Sequence, residues 1–194
     1  MDDLDISYDK ALNIHTTGRD DSIADLVKFP YEPTPYLVLE RIVSSGYIRK
    51  NNLLIDYGAG KGRVGLFISS ETKCHSIGIE YNERLYKKAI SNKNDGNFRR
   101  SEFILGNAEE FKFPDNADRC YFFNPFNLDT LKIVINNIRD SYIKNKREIL
   151  LFFYYPSNKY KEYLDSNFKL IEEIDCSDLF FNDGREKILI YKFN

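Results

Sequence analysis

The sequence predicts an α/β fold, a mainly parallel sheet with helices packed on both faces. Three observations carry that prediction. Strand-like apolar runs alternate with segments of helical period over most of the chain, joined by short links. The run Leu53-Leu54-Ile55-Asp56 leads straight into Gly58, Gly60 and Gly62 and then a helical segment, the strand-turn-helix order of a crossover unit. The run Ile149-Leu150-Leu151-Phe152-Phe153 is apolar without alternation, as a strand covered on both faces requires.

The first fifty residues differ in kind. A polar start is followed by Phe29-Pro30-Tyr31-Glu32-Pro33-Thr34-Pro35, whose prolines stop regular structure, and by a short amphipathic stretch carrying Leu39, Ile42 and Val43. Residues 1–49 therefore read as an arm or cap, and residues 50–194 as the core of one domain spanning 1–194. After the Leu53 strand, Arg63 to Ser70 is expected to be helical and Cys74 to Glu80 a second strand ending in an acid. Asn82 is a candidate N-cap with Glu83 in the first turn; Leu85, Tyr86, Ala89 and Ile90 give the helix an apolar face, and Asn92 to Asn97 is expected to end it.

Further strands are expected at Glu102 to Leu105, Arg119 to Asn124 and Glu148 to Tyr155. Leu128, Leu131, Val134, Ile135 and Ile138 recur at helical spacing behind a possible Asn127 cap. Ser157 to Ser166 reads as another helix. Phe168 to Asp175 and Lys187 to Phe193 read as two strands linked through the turn-prone Asn182-Asp183-Gly184, a candidate edge hairpin.

Composition excludes several classes. With 194 residues, 42% hydrophobic and 15% aromatic, the chain can build a sizeable core. A formal net charge of −2 argues against a broad nucleic-acid-binding surface, and Arg99-Arg100 and Lys144 to Arg147 read as solvated clusters. No apolar run approaches the roughly 20 residues that span a bilayer, and Met1-Asp2-Asp3-Leu4-Asp5 is unlike a signal peptide. A cytoplasmic location without membrane contact is expected. Cys74, Cys120 and Cys176 read as buried reduced thiols, and neither His15 nor His75 has a second ligand at metal-binding spacing. No metal is expected.

The glycine loop is the strongest functional signal, since glycines let a backbone turn sharply and approach a ligand at a helix N-terminus. Gly60, Gly62 and Gly65 also satisfy the spacing of a dinucleotide loop. In that fingerprint the strand runs directly into the first glycine, whereas here Asp56 stands two residues before Gly58. Asp-x-Gly-x-Gly-x-Gly resembles the first motif of class I S-adenosylmethionine-dependent methyltransferases. The resemblance covers about Lys50 to Asn194 and implies a Rossmann-like, seven-stranded sheet with a C-terminal antiparallel hairpin, and S-adenosyl-L-methionine as cofactor. It also implies a cap over the site, which His15 to Thr34 could form.

In such sheets ligands bind beyond the carboxyl ends of the strands. Asp56, Tyr57, Gly58, Ala59, Gly60 and Gly62 are expected to border the methionine half of the cofactor, chiefly through backbone groups. Lys61 has two readings, a contact to the cofactor carboxylate or a solvated side chain. Glu80 ends the second strand, where a carboxylate can accept from both ribose hydroxyls; Tyr81 either flanks the adenine or packs in the core. Gly106-Asn107-Ala108-Glu109 resembles the family's adenine-reading turn, with Asn107 where an acid is common and the Ala108 amide facing adenine.

Asn124-Pro125-Phe126 resembles the Asn-Pro-Pro-aromatic motif of methyltransferases acting on amino groups, with one proline in place of two. The resemblance gives Asn124 and the Pro125 carbonyl the acceptor nitrogen and Phe126 a stacking surface; a rigid turn with a buried Phe126 is the plainer alternative. The implied activity is transfer of a methyl group by direct in-line displacement to a nitrogen on a protein side chain, nucleobase or small molecule. The alternatives are a catalytically inactive cofactor-binding partner subunit and a nucleotide-dependent oxidoreductase.

Overall fold

The computed structural model describes residues 2–19 and 31–193. In chain order the elements are α1 (Asp2–Leu12), α2 (Tyr36–Ser44), β1 (Leu53–Tyr57), α3 (Arg63–Thr72), β2 (His75–Glu80), α4 (Glu83–Asp95), β3 (Ser101–Leu105), β4 (Arg119–Phe122), α5 (Leu128–Lys144), β5 (Ile149–Tyr154), α6 (Asn158–Asn167), β6 (Lys169–Asp175) and β7 (Lys187–Phe193). They form one seven-stranded sheet of order β3-β2-β1-β4-β5-β7-β6. The first five strands run parallel, and β7 and β6 close the edge antiparallel. Strand order reverses between β1 and β4, which opens a crevice at their carboxyl ends.

Alternation along the strands sorts the core onto two faces. Ile55, Tyr57, Cys120, Phe122, Leu151 and Phe153 pack with Leu131, Val134, Ile135 and Ile138 of α5. Leu54, Tyr121, Leu150 and Phe152 pack with Val38, Leu39 and Ile42 of α2 and with Phe67 and Ile68 of α3. Tyr57, Phe122 and Phe153 are register neighbours on adjacent strands. Their rings stack at 4.9 and 4.6 Å, which is the spacing between paired strands.

The helix starts follow local chemistry. Asn82 accepts from the Arg84 and Leu85 amides, Asn127 from the Thr130 amide and Ser157 from the Tyr160 amide. Cys74, Cys120 and Cys176 are free and buried. No helix of the described residues is long and apolar enough to cross a membrane.

The structure adds one element that the sequence expectations did not place. Residues 2–12, polar in sequence, form α1, whose Tyr8 stacks on Tyr36 of α2 at 4.7 Å and meets Phe67 of α3 edge-on. The helix α4 ends at Asp95, within the expected Asn92 to Asn97 stretch. The side chain of Asn92 is buried, donating to the Lys61 carbonyl at 2.8 Å and accepting from the His15 amide at 2.9 Å, so it joins the arm and the glycine loop to α4. The cap expected at His15 to Thr34 falls partly on residues 20–30, outside the described residues.

Candidate active site

A cavity of about 530 Å³ opens at the carboxyl ends of β1, β2 and β4. It is bordered by Asp56, Tyr57, Gly58, Ala59 and Gly60 after β1, by Glu80 and Tyr81 after β2, by Asn107 and Ala108 after β3, and by Asn124, Pro125 and Phe126 after β4. Gly62 does not border it; it is the N-cap of α3 and backs onto the Phe103 ring.

The loop is held by β2. Gly58 and Ala59 both donate to the Ile79 carbonyl at 3.0 Å, and Gly60 donates to Glu80 Oε2 at 2.7 Å. Those three amides are therefore engaged within the protein rather than turned to a ligand. Gly58 has φ +78°, and a Cβ there would stand 2.6 Å from Pro125 Cβ. The glycine loop and the Asn124-Pro125-Phe126 turn are thus packed directly on one another. A Cβ at Gly60 would collide with the Tyr31 ring.

Glu80 is buried, its other oxygen accepting from the Asn82 amide at 2.7 Å. Tyr81 is 59% exposed at the cavity wall, which removes the reading of a packed core tyrosine. Asn107 accepts from the Glu109 amide at 3.0 Å. Asn124, at φ +40°, donates from Nδ2 to the Tyr155 carbonyl at 2.6 Å and accepts at Oδ1 from the Ser157 amide at 3.2 Å. Its amide ties the β4 turn to the β5 turn and leaves one lone pair on Oδ1. Phe126 is 8% exposed, edge-on to Tyr57 and Phe122 at 6.4 Å, and its carbonyl accepts from Tyr160 Oη at 2.6 Å.

Three buried polar atoms among the described residues have no hydrogen-bond partner, Asp56 Oδ2, Tyr57 Oη and Arg63 Nη2, and all three residues border this cavity. Burial, reinforced by the Glu80 carboxylate, pushes the Asp56 carboxyl up to about 7, against a weaker opposing effect of the Gly65 amide. Arg63 opens α3 and is 2% exposed. Its Nη1 pairs with Asp5 at 2.6 Å, its Nε donates to Thr16 Oγ1 at 2.6 Å, and its guanidinium lies over the Tyr36 ring at 4.4 Å. The Lys61 ammonium donates to the Thr17 carbonyl at 2.8 Å and lies over the Tyr31 ring. Asp5, Asp9 and Arg63 are functional candidates that sequence reading missed, because no local pattern marks an acid on a polar helix as buried.

The sequence profile of the methyltransferase-domain family matches residues 48–165. The chain belongs to this family. This methyltransferase is 26% identical over 83 residues to a protein-lysine N-methyltransferase of Saccharolobus islandicus, an alignment covering 42% of this chain and 52% of the relative. The match therefore spans about half the length of that curated relative. Among solved structures, a putative methyltransferase from Escherichia coli superposes with a TM-score of 0.65 at 19% identity, covering 90% of this chain and 98% of the other. An RNA methyltransferase from Salinibacter ruber, in complex with S-adenosyl-L-homocysteine, superposes with a TM-score of 0.57 at 18% identity, covering 84% and 92%. These likenesses show the class I methyltransferase fold.

The methyl donor of this methyltransferase is S-adenosylmethionine, and the cavity fits it. The volume lies in the range of cofactor sites. An unpartnered buried carboxylate suits a cationic ligand, and the loop between β1 and α3 lies against that space without side chains at Gly58 and Gly60. The dinucleotide alternative is set aside by the family match, which also does not favour an inactive binding module.

Proposed function

We propose that this methyltransferase transfers a methyl group to a nitrogen acceptor held against Asn124, Pro125 and Phe126. The observation that carries the reading is the contact of Pro125 with Gly58, which makes the acceptor turn and the glycine loop two walls of one cavity. Bound there, S-adenosylmethionine supplies a methyl on a cationic sulfur that a nitrogen lone pair displaces in line, with the sulfur leaving as a neutral thioether. Glu80 and Tyr81 would hold the ribose and adenine side, with Asn107 and Ala108 beyond them, and Asp56 with the loop the methionine side.

The free lone pair of Asn124 Oδ1 and the Pro125 carbonyl accept from the acceptor N–H groups and aim the lone pair at the methyl group. Rate enhancement then comes from alignment and exclusion of water. Among the described residues neither a histidine nor a cysteine borders the cavity; the proton of the methylated nitrogen passes to solvent. Among the described residues, four carboxylates, Glu32, Asp56, Glu80 and Glu109, border the cavity with one basic side chain, Arg63, a field that favours an amine over a phosphate-rich acceptor. The lysine-directed relative is consistent with such an acceptor. Residues 1–49 act as an arm on the 50–194 core within one domain, a reading supported by the packing of α1 and α2 on α3.

The test uses methyl-labelled S-adenosylmethionine with lysine-containing peptides, free amines, and adenine-containing oligonucleotides. Label in a base-stable N-methyl product supports the reading. Label only in base-labile esters, or only on carbon, overturns it.

A further inference from the structure

The loop from β6 to β7 stands beside the acceptor end of the cavity. β7 runs antiparallel to β5, so its start at Lys187 lies by Tyr154 at the end of β5, and β6 ends alongside at Asp175. Residues 176–186 therefore lie at the carboxyl edge of the parallel strands, where the cavity opens. Contacts join the two. The Tyr155 amide donates to the Lys187 carbonyl at 3.0 Å, while the Tyr155 carbonyl accepts from Asn124 Nδ2. The Phe123 ring, which borders the cavity, lies 4.6 Å from the Tyr154 ring, and the Arg185 guanidinium lies over the Tyr155 ring at 5.1 Å.

This loop is held in shape and presents an aromatic side chain. The Asn182 amide donates to the Ser177 carbonyl at 2.9 Å, the Asp183 amide to the Phe180 carbonyl at 3.0 Å, and Arg185 pairs with Asp183 at 2.7 Å. Between these ties Phe181 is fully exposed, at φ +52°. Phe180 on the same loop, Tyr155 and Phe123 are only partly buried, so Phe181 continues an aromatic surface that begins at the cavity wall. An exposed apolar surface with a polar rim marks an interaction site. The rim here is acidic. Burial holds the Tyr155 phenol above its ordinary value; Arg185 opposes this, and the carboxylates of Asp183, Glu186 and Glu32 reinforce it, so acids of the loop and of the cavity mouth surround one ring.

We propose that this surface docks a polypeptide acceptor, with a lysine side chain entering the cavity beside Glu32 and Tyr155 and an apolar side chain a few residues away packing on Phe181. The inference rests on the nitrogen acceptor given under the proposed function. Two observations select a polypeptide. The carboxylates at the mouth attract a cationic side chain and repel a phosphate backbone, and an acceptor confined to the cavity would leave Phe181 uncovered, whereas a chain running out of it covers an aromatic anchor of the kind that dominates protein interfaces.

The test measures methyl transfer from labelled S-adenosylmethionine to three acceptors: a short peptide with a central lysine flanked by leucines, the same peptide with serines for the leucines, and N-acetyl-lysine amide. The leucine peptide should exceed the serine peptide about tenfold in kcat/KM, chiefly through KM. Phe181→Asn, whose new side chain suits a left-handed backbone, should erase that ratio while keeping both the rate on N-acetyl-lysine amide and the affinity for S-adenosylhomocysteine within about threefold. Phe181→Tyr should retain the ratio. Equal kcat/KM for the two peptides, or a ratio unchanged in Phe181→Asn, overturns the docking surface and leaves the nitrogen acceptor standing. A dimer in sedimentation that Phe181→Asn dissociates assigns the surface to a second copy and also overturns it, as does label found only in an adenine-containing oligonucleotide. Fluorescence anisotropy of the dye-labelled leucine peptide reads docking without turnover. Affinity about tenfold weaker in Phe181→Asn, with no amine methylated, supports the polypeptide surface and overturns the nitrogen acceptor alone; equal affinity in both proteins overturns the surface.

Discussion

Replacing Gly58 with alanine tests the packing on which the site depends. Two costs can be separated. At φ +78° an L side chain is strained by about 1–2 kcal/mol. The new methyl would also lie 2.6 Å from Pro125 Cβ, against the roughly 3.5–4.0 Å at which carbons rest. A gap of about 1 Å must open between a proline and a loop whose amide is tied to the Ile79 carbonyl, and overpacking of this kind costs about 1–3 kcal/mol. The total is about 2–5 kcal/mol, a large fraction of the roughly 5–15 kcal/mol of a typical domain. Gly46 is the control: it has φ +72° with nothing within 4 Å of an added Cβ, so Gly46→Ala carries the backbone cost alone. Urea unfolding followed by far-ultraviolet circular dichroism measures both variants. Gly58→Ala should lose about 1–3 kcal/mol more than Gly46→Ala; equal losses would refute the direct packing of the glycine loop on the Asn124-Pro125-Phe126 turn.

Asp56→Asn should change the pH dependence of stability. The folded carboxyl titrates at about 7 against 3.8 for the free group, so the folded state holds its proton more tightly, and stability falls as pH rises through that window. The asparagine variant should lack that fall and gain about 2–4 kcal/mol at pH 8 relative to pH 5; parallel urea midpoints for the two proteins would count against it. Glu80→Ala removes the acceptor for the Gly60 and Asn82 amides and should weaken S-adenosylhomocysteine binding about 10- to 100-fold by calorimetry, with unchanged affinity as the adverse result. Asn124→Ala cuts the ties to Tyr155 and Ser157. It should slow methyl transfer at least about tenfold while keeping S-adenosylhomocysteine affinity within about threefold, and equal turnover would remove Asn124 from the acceptor site.

Much of this architecture is legible in one dimension because it is local. The β1 run, the glycine turn and α3 follow one another in the chain, and the apolar spacing of α5 and the caps Asn82 and Asn127 use neighbours within four residues. Placing Glu80 at the site is nearly as direct, since β2 lies beside β1 in parallel register. The strand order came from the family resemblance, not from periodicity, because nothing in an apolar run names its partner.

The sequence by itself determined the fold class, the strand ends that gather at the cavity and the methyltransferase motif. Only the tertiary structure decided which polar groups are buried and what satisfies them. Arg63 is neutralised by an acid 58 positions away, the buried Asn92 amide is satisfied by His15 and Lys61, and Asn124 faces Tyr155 and Ser157. The physical reason is common to all three. A buried charge or amide is stable only with partners, and those partners come from distant segments that the folded sheet brings into hydrogen-bonding range.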